Sequence, residues 1–136
     1  MESVFIDTDI CLDLLTERKP FYDPAAQLFS LADRKKLALY VSSLSFSNIH
    51  YILRQEYSGT ESRRILSRFK SLVGVLTVDD KTIELALQST FKDFEDAIQY
   101  YAAIGNSLQL IITRNLRDYK QATIPVMTPE SFLKTL

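Results

Sequence analysis

The sequence predicts an α/β fold, a three-layer α/β/α sandwich whose central parallel sheet has four to five strands. Short apolar runs alternate along the chain with longer segments whose apolar residues recur at helical spacing. The first run, residues 4–6, is followed directly by Asp7, and an acid at the carboxyl end of a buried strand is typical of such folds. Strands that alternate with helices favour a parallel sheet covered on both faces.

We expect a single domain that spans residues 1–136, because this length is typical of one domain and can bury a full core. Apolar residues make up 46% and charged residues 24% of the chain, a composition that argues against a disordered protein. The formal charge of −1 neither indicates nor excludes a nucleic-acid partner, so any RNA contact requires a local basic patch.

The single cysteine, Cys11, lies in an apolar run and is expected to pack as a small hydrophobic residue. No apolar stretch approaches the roughly 20 residues that a bilayer span needs, and no charged leader precedes an apolar segment. The sequence also lacks a glycine-rich phosphate loop, the commonest nucleotide-binding signal. We therefore expect a cytoplasmic protein with no membrane contact.

Each element is predicted from an apolar run, a cap or a break. Strands are predicted over residues 4–6, 37–41, 74–78, 110–112 and 124–127, and Pro125 indicates that the last strand is a sheet edge. Predicted helices start near Asp9, at Asp23-Pro24, at Ser42 or Ser43, at Glu61, at Asp79, at Asp93 and at Thr128-Pro129.

The segment 93–119 carries most of the candidate site residues. These are Asp93, Glu95 and Asp96 at a helix start, and Thr113, Asn115 and Asp118 in the turn after an apolar strand. Asp93 and Asp96 share a helix face, and two close carboxylates repel each other unless a cation offsets their charge. Acids at a helix start also complement the macrodipole, with Asp93 as the cap. Taken alone, the segment leaves a metal site and a helix cap equally open.

Asp7 favours the metal site. Ligands of open α/β sheets bind at the carboxyl edge of the strands. If the first and fourth strands are neighbours, as in the common doubly wound orders, Asp7, Asp96 and Asp118 converge there on one cleft. Hard carboxylate oxygens suit Mg²⁺ or Mn²⁺.

Three motifs together resemble those of the PIN domain family. They are Asp7-Thr-Asp9 after a strand, Asp-x-x-Asp-Ala-x-x-x-x-Ala-Ala from Asp93, and Thr-Arg-Asn-x-x-Asp-Tyr from Thr113. The resemblance extends from residue 4 to about residue 136. It implies a ribonuclease dependent on Mg²⁺ or Mn²⁺, and small bacterial members are usually VapC-like toxins of type II toxin–antitoxin pairs. It further implies an RNA substrate, a small antitoxin partner and a homodimer.

The resemblance also assigns roles to residues. Asp7, Asp96 and Asp118 match the family's metal-binding and catalytic acids, and Asp93 matches an additional catalytic acid that can position a water or bind a second ion. Thr113 and Asn115 are expected to hydrogen-bond a ligand carboxylate. Arg114 and Arg117 flank the site and are expected to contact RNA phosphates.

One position departs from the family's pattern. Asn48 stands where the family usually has a Glu, and an amide offers an oxygen ligand without negative charge. The site then binds metal more weakly, recruits Glu95 or Asp9, or has lost activity. An alternative to the ribonuclease is therefore a catalytically weakened PIN-like module that binds RNA or a protein.

A further alternative is a phosphatase similar to the haloacid dehalogenase family, because Asp7-Thr-Asp9 also resembles the Asp-x-Asp motif near the start of that family's sequences. Asp7 would then be a nucleophile. The Thr-Arg-Asn-x-x-Asp turn fits the nuclease better.

Other polar and aromatic residues have simpler interpretations. His50 is expected to be packed or exposed rather than catalytic, and Asp13 is expected at the surface. Tyr100 and Tyr101 can stack on RNA bases, but their spacing places one of them in the core. The basic face of the helix over residues 61–70 is expected to be solvated.

Overall fold

One parallel sheet organises the protein in a computed structural model that describes residues 1–136. Its strands are β1 (Ser3–Ile6), β2 (Ala38–Ser42), β3 (Gly74–Leu76), β4 (Ile111–Ile112) and β5 (Val126–Met127). The strand order is β3-β2-β1-β4-β5 and every pairing is parallel. The predicted fold class is confirmed, with five strands in the sheet.

Seven α-helices and one short 3₁₀ helix connect the strands. The α-helices are α1 (Thr8–Leu15), α2 (Tyr22–Asp33), α3 (Ser43–Leu53), α4 (Gly59–Lys70), α5 (Asp80–Gln88), α6 (Phe94–Gly105) and α7 (Pro129–Leu133), and the 3₁₀ helix is Leu116–Tyr119. None of the helices combines the length and apolar character that a membrane crossing requires.

Alternate residues of each strand enter two different cores, because successive side chains point to opposite faces of a sheet. Val4 and Ile6 pack in the larger core, together with residues of α1, α2, α3, α4 and α7. Phe5 and Ile111 pack in a smaller core against α6. Burial on both faces explains why the strands read as continuous apolar runs.

Helix caps confirm several of the predicted starts. The Asp79 side chain accepts a hydrogen bond from the Thr82 backbone N–H (3.0 Å) at the start of α5. Thr128 caps α7 in the same way, with Pro129 in the first turn. Each cap pairs a backbone N–H that has no partner within the helix.

The prediction that Asp23 caps a helix is wrong. A cap at Asp23 would make Pro24 the first helical residue, but α2 begins two residues earlier, at Tyr22, and its N-cap Phe21 makes no side-chain capping bond. Asp23 and Pro24 lie within the first turn, where an acid complements the helix dipole and the missing proline N–H needs no partner.

Three strands, β3, β4 and β5, are shorter than predicted. β3 ends at Leu76, and the backbone N–H of Val78 donates to the Ser43 hydroxyl (3.2 Å) instead of extending the ladder. β4 has only two residues. β5 is an edge strand, as Pro125 indicated, but it begins after the proline, two residues later than predicted.

Candidate active site

β1 and β4 are neighbours, so the residues that follow them lie side by side at the carboxyl edge of the sheet. The Asp7 backbone N–H donates to the Ile112 carbonyl (2.9 Å). The buried Asp7 carboxylate accepts from the Thr8 backbone N–H through Oδ1 (2.7 Å) and from the Thr113 hydroxyl through Oδ2 (2.8 Å). These bonds fix its orientation, while burial raises the pKa of Asp7.

Asp9 lies in the first turn of α1 and ties this helix to the loop after β4. Its Oδ2 accepts from the Asn115 side-chain amide (2.9 Å) and the Arg114 backbone N–H (3.2 Å). Its Oδ1 is buried and has no hydrogen-bond partner. Burial and the charge of Asp7 raise the pKa of Asp9 to about 7.

Asp96 lies in the first turn of α6, and its backbone N–H donates to the capping Asp93 side chain (3.0 Å). Asp93 is therefore a helix cap, and it also lines a cleft beside Asp96. Burial, followed by the charges of Asp7 and Asp93, raises the pKa of Asp96 to about 7.

No basic side chain neutralises Asp7, Asp9 or Asp96 by an ion pair. The two salt bridges of the protein join Arg64 to Glu61 and Arg114 to Asp13. The charge of Arg114 acts against the rise in the Asp9 pKa, but no lysine or arginine side chain forms an ion pair with the three acids.

A buried polar network lies behind the acids and holds α6 in place. The Gln99 side chain, one turn beyond Asp96, accepts from the Ser42 hydroxyl and donates to the Thr8 (2.8 Å) and Ser45 (3.2 Å) hydroxyl oxygens. The network joins α6 to the segments that follow β1 and β2. Sequence reasoning missed Gln99, although a glutamine within the apolar run from Ala97 to Tyr100 is a signal.

The 3₁₀ helix brings Asp118 towards the other acids. Asp118 is exposed, and its charge contributes to the raised pKa values of Asp7 and Asp96. The next residue, Tyr119, is buried and packs edge-on against Phe91, with ring centroids 6.3 Å apart. Burial and the nearby Asp7 charge raise the pKa of Tyr119 well above its ordinary value. Tyr119 anchors this turn, a role that the sequence did not reveal.

Asn48 and Glu95 meet at the rim of the site. The Asn48 amide donates to the Glu95 Oε1 (2.7 Å) and thereby links α3 to α6. Asn48, which stands where the family usually has a Glu, thus fixes the Glu95 side chain. Glu95 lines the same cleft as Asp7.

Arg114 pairs with a carboxylate on α1. Its guanidinium binds the buried Asp13 through two hydrogen bonds (2.7 and 3.1 Å) and lies 3.9 Å from the Phe21 ring centroid. The prediction that Asp13 is a surface residue is wrong, because the distant Arg114 covers and neutralises it. Arg117 is exposed and makes no ion pair.

Two clefts meet at Asp96 and Asn115, which line both of them. One cleft has a volume of about 490 Å³ and is lined by Asp93, Asp118, Lys92, Arg117 and Lys120. We name it the phosphate cleft. The tyrosine cleft, of about 380 Å³, holds Asp7, Asp9, Leu12, Tyr51 and Ile52. Sequence reasoning missed Lys92, Lys120 and Tyr51, because surface residues follow no periodic pattern.

The donor set fits a hydrated divalent cation. No group of three or more His, Cys, Asp or Glu side chains is drawn tightly enough together to enclose a metal ion. Mg²⁺ keeps several waters and often takes only one or two protein carboxylates. The unpartnered buried oxygen of Asp9 and the unneutralised carboxylates of Asp7 and Asp96 suit such an ion.

Remaining polar residues lie in or near the cores. Tyr100 is buried and its hydroxyl bonds the Thr123 hydroxyl (2.9 Å), so it does not reach a ligand. Tyr101 is partly buried against Phe91. His50 is partly buried, and its Nε2 has no hydrogen-bond partner.

Comparison with known proteins agrees with this architecture. A family model of the PIN domain matches residues 3–117. Ribonuclease VapC1 of Aquifex aeolicus (strain VF5) is 29% identical over 139 residues, which cover 96% of this chain and 93% of that protein. The chain is also similar to two solved structures. A toxin-antitoxin complex from Klebsiella pneumoniae has 24% identity, coverage of 93% of this chain and 97% of that chain, and a TM-score of 0.67.

The second structure is DNA-bound VapBC from Salmonella typhimurium, with 21% identity, coverage of 95% of this chain and 99% of that chain, and a TM-score of 0.71. At these identities both structures show a shared fold. The family model covers most of the chain and includes Asp7, Asp93 and Asp96. The chain therefore belongs to the PIN domain family.

Proposed function

We propose that this protein is a metal-dependent endoribonuclease that cleaves RNA phosphodiester bonds, and that it is the toxin of a type II toxin–antitoxin pair. The observation that carries the proposal is that Asp7, Asp9 and Asp96 line one cleft without an ion-pair partner, and that Asp96 also lines the second cleft. The similarity to ribonuclease VapC1 supports the activity, and the fold shared with a toxin-antitoxin complex supports a small antitoxin partner. A homodimer and a cytoplasmic location belong to the same proposal.

Asp7, Asp96 and Asp118 would hold Mg²⁺ or Mn²⁺, with the unpartnered oxygen of Asp9 beside them. A bound divalent ion would neutralise the charge that develops on the phosphate and would lower the pKa of the attacking water. Thr113 fixes the Asp7 carboxylate for this task through its hydrogen bond to Oδ2.

Other residues bind and orient the substrate. Asn115 holds Asp9 through its amide and lines both clefts, at the place where a scissile phosphate would lie. Asp93, which caps α6 and lines the phosphate cleft, would orient a water next to Asp96. Arg117 offers a free positive charge for the RNA backbone, whereas the Arg114 charge is balanced by Asp13.

The test is Mn²⁺- or Mg²⁺-stimulated cleavage of RNA by purified protein, with EDTA as the metal-free reference. Asp96→Asn should abolish cleavage while the circular dichroism spectrum stays unchanged. Asp80→Asn is the matched control, because Asp80 is an exposed acid in the first turn of α5, away from the site. Cleavage by Asp96→Asn at the wild-type rate would refute the assignment.

The second candidate function is a PIN-like module that binds RNA or a protein without cleaving it, and Asn48 is the observation that favours it. An amide at this position adds no charge of its own. A module of this kind would show little Mn²⁺-dependent stabilisation and no cleavage. Release of phosphate from a small phosphomonoester would instead indicate the phosphatase.

A further inference from the structure

Tyr51 stands out among the residues of the site because its side chain is 71% exposed and contributes little to a core. It lies on α3, one turn beyond Asn48, and lines the tyrosine cleft with Leu12 and Ile52. The same cleft holds the carboxylates of Asp7 and Asp9. It therefore combines an acidic end with an aromatic and aliphatic wall.

The phosphate cleft has a different character. Four cations line it. Lys92, Arg117 and Lys120 are exposed and make no ion pair, whereas Arg114 is paired with Asp13. Free lysine and arginine charges along a groove are suited to a polynucleotide backbone, which they bind by displacing its counterions.

The two clefts form one path because Asp96 and Asn115 line both of them. Positive charge lies on one side of this junction and an exposed aromatic ring on the other. A nucleotide strand has matching parts, since a charged phosphate is followed by a flat base that can stack on an aromatic ring.

We propose that the tyrosine cleft is a base subsite, in which a nucleobase next to the scissile phosphate stacks on Tyr51 while the backbone follows Lys92, Arg117 and Lys120. The inference rests on the proposed function and specifies its substrate as an unpaired RNA segment. A base within a duplex is stacked and paired, so its face cannot reach the tyrosine ring.

Binding without cleavage tests the subsite. The full chain in EDTA is titrated into a single-stranded RNA oligonucleotide that contains 2-aminopurine, with anisotropy as the affinity readout and fluorescence quenching as the stacking readout. Tyr51→Ala should raise the Kd about 5- to 150-fold and remove the quenching, because base–aromatic stacking has this strength. Tyr51→Phe should keep both signals. Tyr57→Ala, at an exposed tyrosine outside both clefts, is the control.

The salt dependence tests the phosphate cleft. Lys120→Gln should reduce the slope of log K against log salt by about 0.7, the value for one phosphate contact on a single strand. Lys70→Gln, at an exposed lysine on α4, should leave the slope unchanged. A blunt-ended RNA duplex of two complementary strands, which has no unpaired bases, should bind more weakly than the single strand, and its affinity should not depend on Tyr51.

Wild-type affinity and quenching in Tyr51→Ala would overturn the inference. So would a Tyr51→Ala variant that keeps RNA affinity but binds a partner protein more weakly, because the cleft would then belong to that partner. The proposed function fails separately, when the wild-type chain with Mn²⁺ does not cleave RNA. Cleavage that depends on Asp96, together with RNA binding that does not depend on Tyr51, would keep the function and reject the subsite.

Discussion

Raising the pH from about 5 to about 8 should destabilise the metal-free protein, and Asp96→Asn should remove part of this loss. The Asp96 carboxylate is partly buried beside Asp7, Asp93 and Asp118, and burial together with their charges raises its pKa from 3.8 to about 7. An acid with a raised folded-state pKa stabilises the fold while it is protonated. This contribution is complete below pH 3.8 and is lost as the pH rises towards about 7.

The size of the effect follows from the pKa. A rise from 3.8 to about 7 corresponds to an upper limit of ~4 kcal/mol. Solvent screens this partly exposed carboxylate, so we expect Asp96 to account for on the order of 1–2 kcal/mol. Urea unfolding in EDTA at several pH values measures it as the difference in the free energy of unfolding between Asp96→Asn and wild type. That difference should shift in favour of the variant as the pH rises.

Asp79→Asn is the matched control. The pKa of Asp79 is lowered by its hydrogen bonds to Thr82, so its contribution to stability is lost only as the pH falls below its ordinary value of 3.8. The free-energy difference between Asp79→Asn and wild type should therefore stay constant between pH 5 and pH 8. A constant difference for Asp96→Asn as well would refute the reasoning.

Mn²⁺ should restore the free energy of unfolding that the wild-type protein loses as the pH rises. A cation that binds the ionised acids of the folded state stabilises it by about 2.7 kcal/mol when its concentration is 100 times the Kd. The same titration of Asp96→Asn should give a clearly smaller gain. Equal stabilisation of the two proteins would show that the ion binds elsewhere.

Two further predictions concern a packed glycine and a buried ion pair. Gly74→Ala should lower the free energy of unfolding by ~1–3 kcal/mol, because the added methyl would clash with the Tyr40 ring. Gly105→Ala, with open space around it, should be neutral or stabilising in the same urea experiment. Asp13→Asn should cost ~2–4 kcal/mol, because it leaves the Arg114 guanidinium without its buried partner, and a loss below 1 kcal/mol would contradict the importance of this pair.

The fold was predictable because its signals are local. Each buried strand is a short apolar run, and caps such as Asp79 act within three residues of their own position. The adjacency of β1 and β4 is one of the strand orders that parallel sheets commonly adopt, so the sequence suggested it as a condition, and the structure meets that condition and brings Asp7 to Thr113.

The remaining features depend on contacts between distant parts of the chain. Asp13 is buried because Arg114, far along the sequence, returns to neutralise it. Gln99 occupies an apolar helix face because hydroxyl groups from two other segments complete its hydrogen bonds. Tyr51 belongs to neither core, so the helical spacing of apolar residues does not single it out. Its location in the cleft is visible only in the structure. A single sequence shows such residues, but it does not show their partners.

The contact between Asn48 and Glu95 bears on whether the departure from the family's pattern removes negative charge from the site. A glutamate at position 48 would face Glu95 across a distance at which the Asn48 amide now donates a 2.7 Å hydrogen bond. Two ionised carboxylates at that distance repel each other strongly, whereas an amide and a carboxylate attract. Glu95 also contributes to the raised pKa of Asp96, so its charge acts on the same group of acids. We infer that Asn48 orients Glu95 near the acids that would hold the metal, so an amide at position 48 does not by itself leave the site short of negative charge.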